Sequence, residues 1–389
     1  MLLWSLVLLT LVTGLFLAAV YTEAGQLLAL PIDWFYGIYP FLPVLSGTIL
    51  AAALLAVVLG IATRKFSKLA ASIYLLCIIA LIFLSNWFTP EVWLRSQHRT
   101  AHYISIEEVG NKLSDDADMF VIEINGDARA YYRDWLMVPH IGGDLIGGED
   151  VMMAYCALSN VPQVFGSDVD GAESDMRVIA QVGNNLVMGD SNTGILYQHI
   201  TGQSHDGAST LTKYPVQRMP WASYKALYPD GKVYALERSG PLLKTIDNIS
   251  AAVFTSGLTG HYSPDNPEPL YATIDLNDNR LHPKTTVWGV SLNNDSVAFT
   301  QDFFAREPVF NTVVGNKPVV IVWFDEYQTM GLFSRETAEG VVEVTDIDPY
   351  GNTPEGQLER LPMYPALFWM IWSHWYPETD LMKARTPPA

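Results

Sequence analysis

The chain has 389 residues, 49% of them hydrophobic, with 23 Lys and Arg against 41 Asp and Glu, a formal charge of −18. So acidic a surface repels nucleic acid and anionic lipid head groups, and neither is an expected partner. Two cysteines cannot build a disulfide framework, while the length leaves room for more than one folded unit.

Residues 2–21, 34–63 and 69–90 are uncharged and apolar. Each reaches the roughly 20 residues that cross a ~30 Å hydrocarbon core as a helix. Residues 1–90 therefore read as a three-helix transmembrane anchor. A cleaved signal peptide in place of the first helix is the alternative, but the stretch has no basic start and no clear cleavage site. Arg64, Lys65 and Lys68 lie between the second and third helices, whereas the earlier link carries only Glu23 and Asp33. Basic loops stay in the cytoplasm, so everything after Pro90 is expected on the extracytoplasmic side, periplasmic or extracellular. Trp34, Phe35, Tyr36, Trp87 and Phe88 sit where interfacial aromatics belong. Cys77 falls inside the third apolar run, which leaves Cys156 with no intramolecular partner.

Past the membrane, DMFVIEINGDARAYY alternates apolar residues around Asn125-Gly126, a hairpin signal. TVWGVSLNNDSVAF has the same shape around Asn293-Asn294. At a constant offset of 168, Asp127 falls on Asp295, Ala130 on Ala298, Gly147 on Gly315 and Phe165 on Phe333. At an offset of 148, WASYKALYP (221–229) falls on WMIWSHWYP (369–377), both amphipathic helix patterns stopped by proline. The fold class is thus an anchor plus an α+β, β-rich extracytoplasmic domain built as a tandem duplication. Its parts are residues 1–90, the first repeat 91–239, a connecting segment 240–283, and a diverged second repeat 284–389. Within this comparison Cys156 falls on Phe324, His140 on Pro308 and Asp144 on Thr312. The stretch MGDSNTGILYQHITGQSHDG (188–207) has no full counterpart. Features shared by both copies read as structural, and the singular ones as candidates for chemistry.

The stretches DARAYYRDWLMVPHIGGDLIGGEDVMMAYCALS, MGDSNTGILYQHITG and WASYKALYP resemble the domain of unknown function 3179 family. The likeness is good over 115–235 and looser over 280–382. The matching positions are Arg129-Ala130-Tyr131, His140, Asp144, Gly147-Gly148, Tyr155-Cys156, Leu158, Asp190, Thr193 and Thr201-Gly202. Gly143 stands where the family has Asn, Ala157 where it has Pro, and His199 at or beside its Gln. The resemblance offers Arg129, Tyr131, Tyr155, Gln198 and His199 as ligand contacts and implies no activity.

Three readings of Cys156 stay open. As an activated thiol at the end of an apolar strand, it would have His140 as base and Asp144 or Asp190 to orient the imidazole, in a concave site open to solvent. The matching place near Phe324 and Pro308 would then be filled and apolar. As a metal ligand it would act with His140, His199 and His205, although no CxxC, HxH or HExxH spacing supports this. As a small buried hydrophobe it would be incidental to a binding or scaffold module. If 196–199 is a strand, Gln198 and His199 face opposite sides. No Walker A, GxSxG, GxGxxG or EF-hand pattern is present, and no cofactor is indicated.

Overall fold

The computed structural model describes residues 2–22, 28, 32–169, 171–236, 244–245, 248–249 and 260–384. Glu23 and much of the expected connecting segment before residue 260 lie outside these. Leu2–Tyr21 (α1), Leu42–Ala62 (α2) and Lys68–Trp87 (α3) are long and apolar enough to cross a membrane, the second span running from Tyr36. Their outward faces carry exposed large apolar side chains such as Leu8, Leu9, Val44, Val58, Leu69 and Leu76. The contacts between helices use small and polar groups. Ala53 and Ala56 are fully buried, Thr10 Oγ1 meets Tyr74 Oη at 2.6 Å, and Asn86 Nδ2 donates to Ser46 Oγ at 2.9 Å. Such contacts hold helices together where apolar burial supplies no drive.

The rest of the chain is β-rich, with five sheets of three to five strands in a propeller-like arrangement. Its strands are β1 (His102–Ser105), β2 (Asp118–Ile124), β3 (Asp127–Tyr132), β4 (Ile141–Ile146), β5 (Glu149–Cys156) and β6 (Val161–Gly166). Then come β7 (Met176–Val182), β8 (Asn185–Asp190), β9 (Leu196–Gln198), β10 (Lys213–Tyr214), β11 (Gln217–Pro220), helix α4 (Trp221–Leu227) and β12 (Lys232–Ala235). The second half has β13 (Thr286–Leu292), β14 (Asp295–Phe299), β15 (Val309–Val314), β16 (Lys317–Phe324), β17 (Thr329–Ser334), β18 (Tyr364–Phe368), α5 (Trp369–Trp375) and β19 (Asp380–Met382). The sheet orders are β1-β12-β3-β2-β11, β10-β6-β5-β4, β9-β8-β7, β18-β13-β14-β19 and β15-β16-β17.

Most ladders of the two halves run in the same register, the exception being a bulge after Val287 in the β13–β18 pair that β2–β11 does not have. Val121 opposes Ala130 as Gly289 opposes Ala298, and Gly143 opposes Met152 as Asn311 opposes Val320. Lys232 lies beside Arg129 in a parallel pair, as Asp380 lies beside Val297. The turns explain the shared sequence features. Asn125 and Gly126 have φ of 50° and 81°, and Asn293 and Asn294 have 49° and 67°, the positive values that a tight twisted hairpin requires. Asn125 Nδ2 donates to Gly147 O at 2.9 Å while Gly147 N donates to Asp127 Oδ2 at 3.3 Å. Asn293, Asp295 and Gly315 repeat this bracket at 2.8 and 3.0 Å. Glycine is required at both corners: φ is +57° at each, and a Cβ would stand 2.1 Å from the carbonyl oxygen of Ile124 or Leu292.

The halves differ in one blade. After β6 both halves make a short hairpin, Asp168–Val169 with Ala172–Glu173 and Glu336–Thr337 with Gly340–Val341; the first half then inserts the three-stranded sheet β7–β9, where the second has one further hairpin, Asn352–Thr353 with Gly356–Gln357. Ile179, Ala180, Val187 and Leu196 of the inserted sheet share one apolar cluster with Tyr21, Tyr36 and Leu42 of the anchor. Arg177 pairs with Glu91 at 3.0 Å, and His205 stacks on Tyr36 at 3.6 Å between ring centres. Of these contacts only Leu196 and His205 fall within 188–207, the stretch that the sequence comparison left without a full counterpart; the rest come from the strands just before it.

Candidate functional site

Cys156 ends β5, a strand whose last six residues are all buried. Its exposure is 0%, so the expected opening to solvent is absent. The Sγ–H points to Gln181 Oε1 at 3.6 Å, with Asn184 O at 3.9 Å as a second acceptor. The Gln181 carboxamide reaches His140 at its other end, Nε2 to Nε2 at 3.5 Å. Thiol and imidazole therefore stand on opposite ends of one amide. Gln181 has its carbonyl occupied by the thiol, so its N–H faces His140 Nε2, which accepts. Burial pushes the Cys156 thiol up and the His140 imidazole down to about 4. Both groups are neutral near pH 7, the reverse of the thiolate–imidazolium pair of a nucleophilic cysteine.

The backbone explains how His140 arrives there. It sits at φ 71° after the short helix Arg133–Leu136; its N–H donates to Leu136 O at 3.0 Å, and its carbonyl accepts from Tyr155 N at 2.8 Å. A side chain held in the left-handed region by bonds on both sides is fixed by the fold.

A second polar knot adjoins. His199 Nε2 donates to Ala154 O at 3.0 Å, and its Nδ1 accepts from Asn185 Nδ2 at 3.2 Å. Burial holds this imidazole neutral, with a pKa of about 3. Asn185 Nδ2 also reaches Ser159 Oγ at 3.1 Å, and its Oδ1 accepts from Gln198 Nε2 and Ile200 N, each at 2.8 Å. Gln198 and His199 do not face opposite ways as the strand alternation predicted. The strand stops at Gln198, and the turn that follows brings both side chains onto Asn185.

The carboxylates expected around His140 are engaged elsewhere. Asp190 ties its own turn to the residue before β7, with Oδ1 accepting from Asp175 N at 2.8 Å and Oδ2 from Thr193 Oγ1 at 2.6 Å. Asp144 Oδ1 accepts from Leu145 N at 2.8 Å. Gln181 stands between the thiol and the imidazole, where their direct contact was expected. Of the ligand contacts that the resemblance offered, Arg129 pairs with Asp127 at 2.7 Å and lies 4.9 Å over the Tyr103 ring. Tyr131 Oη meets Tyr103 Oη at 2.5 Å, and Tyr155 Oη donates to Asn160 Oδ1 at 3.1 Å. All three are wholly or mostly buried in packing contacts.

In the second half, Phe324 is buried in the register position of Cys156, beside Val344, Ile347 and Leu358. Pro308 instead lines a surface hollow of about 710 Å³ with Phe304 and Trp323, so that place is not filled. Among the described residues no three His, Cys, Asp or Glu side chains gather closely enough to hold a metal ion. Gln181, Asn184, Asn185 and Ser159 were not singled out from the sequence. The available signal was a glutamine within RVIAQV and a pair of asparagines between two apolar strands.

The family model described as protein of unknown function (DUF3179) matches residues 97–379. No curated protein and no solved structure matches the chain.

Proposed function

The chain belongs to the DUF3179 family of proteins of unknown function, and from that premise we propose that it is a membrane-anchored, extracytoplasmic binding module in which Cys156 is structural. One observation carries this reading: the Cys156 sulfur is sealed, donates to an uncharged amide, and has its ionisation opposed by burial. A nucleophilic thiol needs access and a lowered pKa, and Cys156 has neither. The extracytoplasmic side is supported by Arg64, Lys65 and Lys68 in the loop between the second and third spans. The domain is a tandem duplication with a diverged second copy. Supporting this are the equal registers of the β2–β3 and β13–β14 ladders and of the β4–β5 and β15–β16 ladders, the repeated Asn–Asp–Gly bracket and the same antiparallel, antiparallel, parallel order around β2–β3 and β13–β14.

A second reading, thiol chemistry at Cys156 with His140 as base, is favoured by the amide link that places both groups within one buried cluster. Alkylation separates the two. In a Cys77→Ser background, the binding-module reading expects Cys156 to react with iodoacetamide at the rate of global unfolding, with no pH-dependent acceleration near neutrality. Fast labelling of the folded protein with an apparent thiol pKa under 7 would establish the second reading. For the side, an impermeant maleimide should label Glu339→Cys in intact cells and spare Lys65→Cys; the reverse pattern inverts the topology.

A further inference from the structure

Where the first half meets the loop 349–360 of the second, Glu123, Tyr228, Tyr350, Gln357, Glu359 and Arg360 line a hollow of about 370 Å³. Arg360 is the unusual member. Its guanidinium lies 4.6 Å over the Phe333 ring and donates to the Pro349 carbonyl. Among the described residues it has no carboxylate partner within ion-pair distance. A guanidinium has five N–H donors in a planar fork, so most of its capacity is unspent. Arg360 is half-buried; burial lowers its pKa, and Tyr228, Glu123 and Asp348 nearby act against that shift without closing an ion pair.

The rest of the lining says what would complete it. Tyr228 Oη accepts from Gln217 Nε2 at 2.8 Å, which leaves its own O–H as a donor at the wall. Glu123 uses Oε1 to accept from Gly126 N at 2.7 Å and keeps Oε2. Glu359 is exposed at the rim. A simple anion would pair with Arg360 but meet two carboxylates; a simple cation would suit the carboxylates and leave Arg360 bare. A ligand with both charges a few ångströms apart satisfies all four groups. The volume falls at the small end of ligand pockets, roughly 300–1,000 Å³. Tyr350, held by its Oη donating to Leu227 O at 2.6 Å and edge-on to Tyr228 at 6.1 Å, supplies an aromatic wall for an aliphatic part.

We propose that this interface pocket binds a free α-amino acid, with the carboxylate on Arg360 and Tyr228 and the ammonium on Glu123 and Glu359. The proposal rests on the binding-module reading and gives it a ligand class. Neither Cys156 nor His140 takes part.

The test is calorimetric titration of the full-length protein in detergent with each of the twenty proteinogenic L-amino acids. Each one that binds is then compared with its deaminated carboxylic acid and its decarboxylated amine. At least one amino acid is expected to bind, with both truncated analogues weakened tenfold or more. Arg360→Gln should weaken it at least tenfold, and Glu359→Gln, at an exposed position, several-fold. Should Arg360→Gln fail to fold, Tyr228→Phe takes its place and is expected to weaken the amino acid and its deaminated acid alike. Binding by none of the twenty, an acid analogue as tight as its parent, or unchanged affinity in both Glu359→Gln and the arginine or tyrosine variant would overturn the assignment. A silent pocket with an inert Cys156 removes only the ligand class. A reactive Cys156 removes the module reading whatever the pocket does.

Discussion

Asn185→Leu should be among the most damaging single changes outside the apolar core. The substitution keeps the branched shape and deletes four hydrogen bonds, to Ser159 Oγ, His199 Nδ1, Gln198 Nε2 and Ile200 N. Two of the four partners have a fallback: Gln198 Nε2 also reaches Leu186 O at 3.3 Å, and Ser159 Oγ also donates to Cys156 O at 3.4 Å. The other two, the Ile200 amide and His199 Nδ1, lose their described partner at fully buried positions. Each orphaned group costs about 1–3 kcal/mol, so the loss should be about 2–6 kcal/mol. That is a large share of the roughly 5–15 kcal/mol typical of a folded domain. The measurement is urea unfolding of the full-length protein in detergent followed by tryptophan fluorescence, with the slope checked for constancy. A shift worth less than about 1 kcal/mol at unchanged slope would show that the knot holds nothing together, and the argument from buried polar pairing would be wrong.

Three further outcomes follow from the same structure. His140, His199 and His261 are held neutral by burial, at about 4, 3 and 4 against an ordinary 6.5, so below pH 6.5 the unfolded chain takes up protons that the folded chain refuses. Stability is therefore intact above pH 6.5 and falls as pH drops toward 4, by up to about 1.4 kcal/mol per pH unit for each histidine; a flat urea midpoint between pH 7 and 5 would contradict this. Gly147→Ala puts a Cβ against the Ile124 carbonyl and should cost more than about 2 kcal/mol, whereas Gly148→Ala at φ +91° meets open space and should cost about 1 kcal/mol. Arg177→Met removes half-exposed pairs to Glu91 and Asp175 and should cost under about 1 kcal/mol, so a larger loss in thermal melting would mean that the domain leans on this ion pair to stay seated.

Much of the architecture is legible in the sequence because its signals are local. Twenty-residue apolar runs, Asn-Gly and Asn-Asn between alternating strands, and proline after an amphipathic helix each act within a few residues. The candidate site was legible only in part. Cys156 and His140 do fall into one cluster, yet what joins them is Gln181, 25 residues after the cysteine, and nothing local marks a glutamine as a bridge. Asp190 was attractive as a singular acidic residue; the Thr193 amide of its own turn and the Asp175 amide across the sheet account for it. Gln198 and His199 would face opposite sides only if the strand ran through 199, and it ends at Gln198.

The inserted sheet unites these points. Alternation along RVIAQV would put Ile179 and Gln181 on one face. The ladder slips there: Ala180 opposes Val187, Val178 opposes Met188, and Ile179 is left unopposed. That bulge resets the period, as an extra residue in one strand must. Ile179 and Ala180 both turn to the anchor cluster while Gln181 turns inward to Cys156 and His140. One sheet thus rests its outer face on the apolar N-terminal helices and closes the polar cluster with its inner face. The second half, which has no such sheet among its described residues, packs Val344, Ile347 and Leu358 against Phe324, the residue in the register position of Cys156. The thiol is small because an amide, and not an apolar side chain, comes down over it.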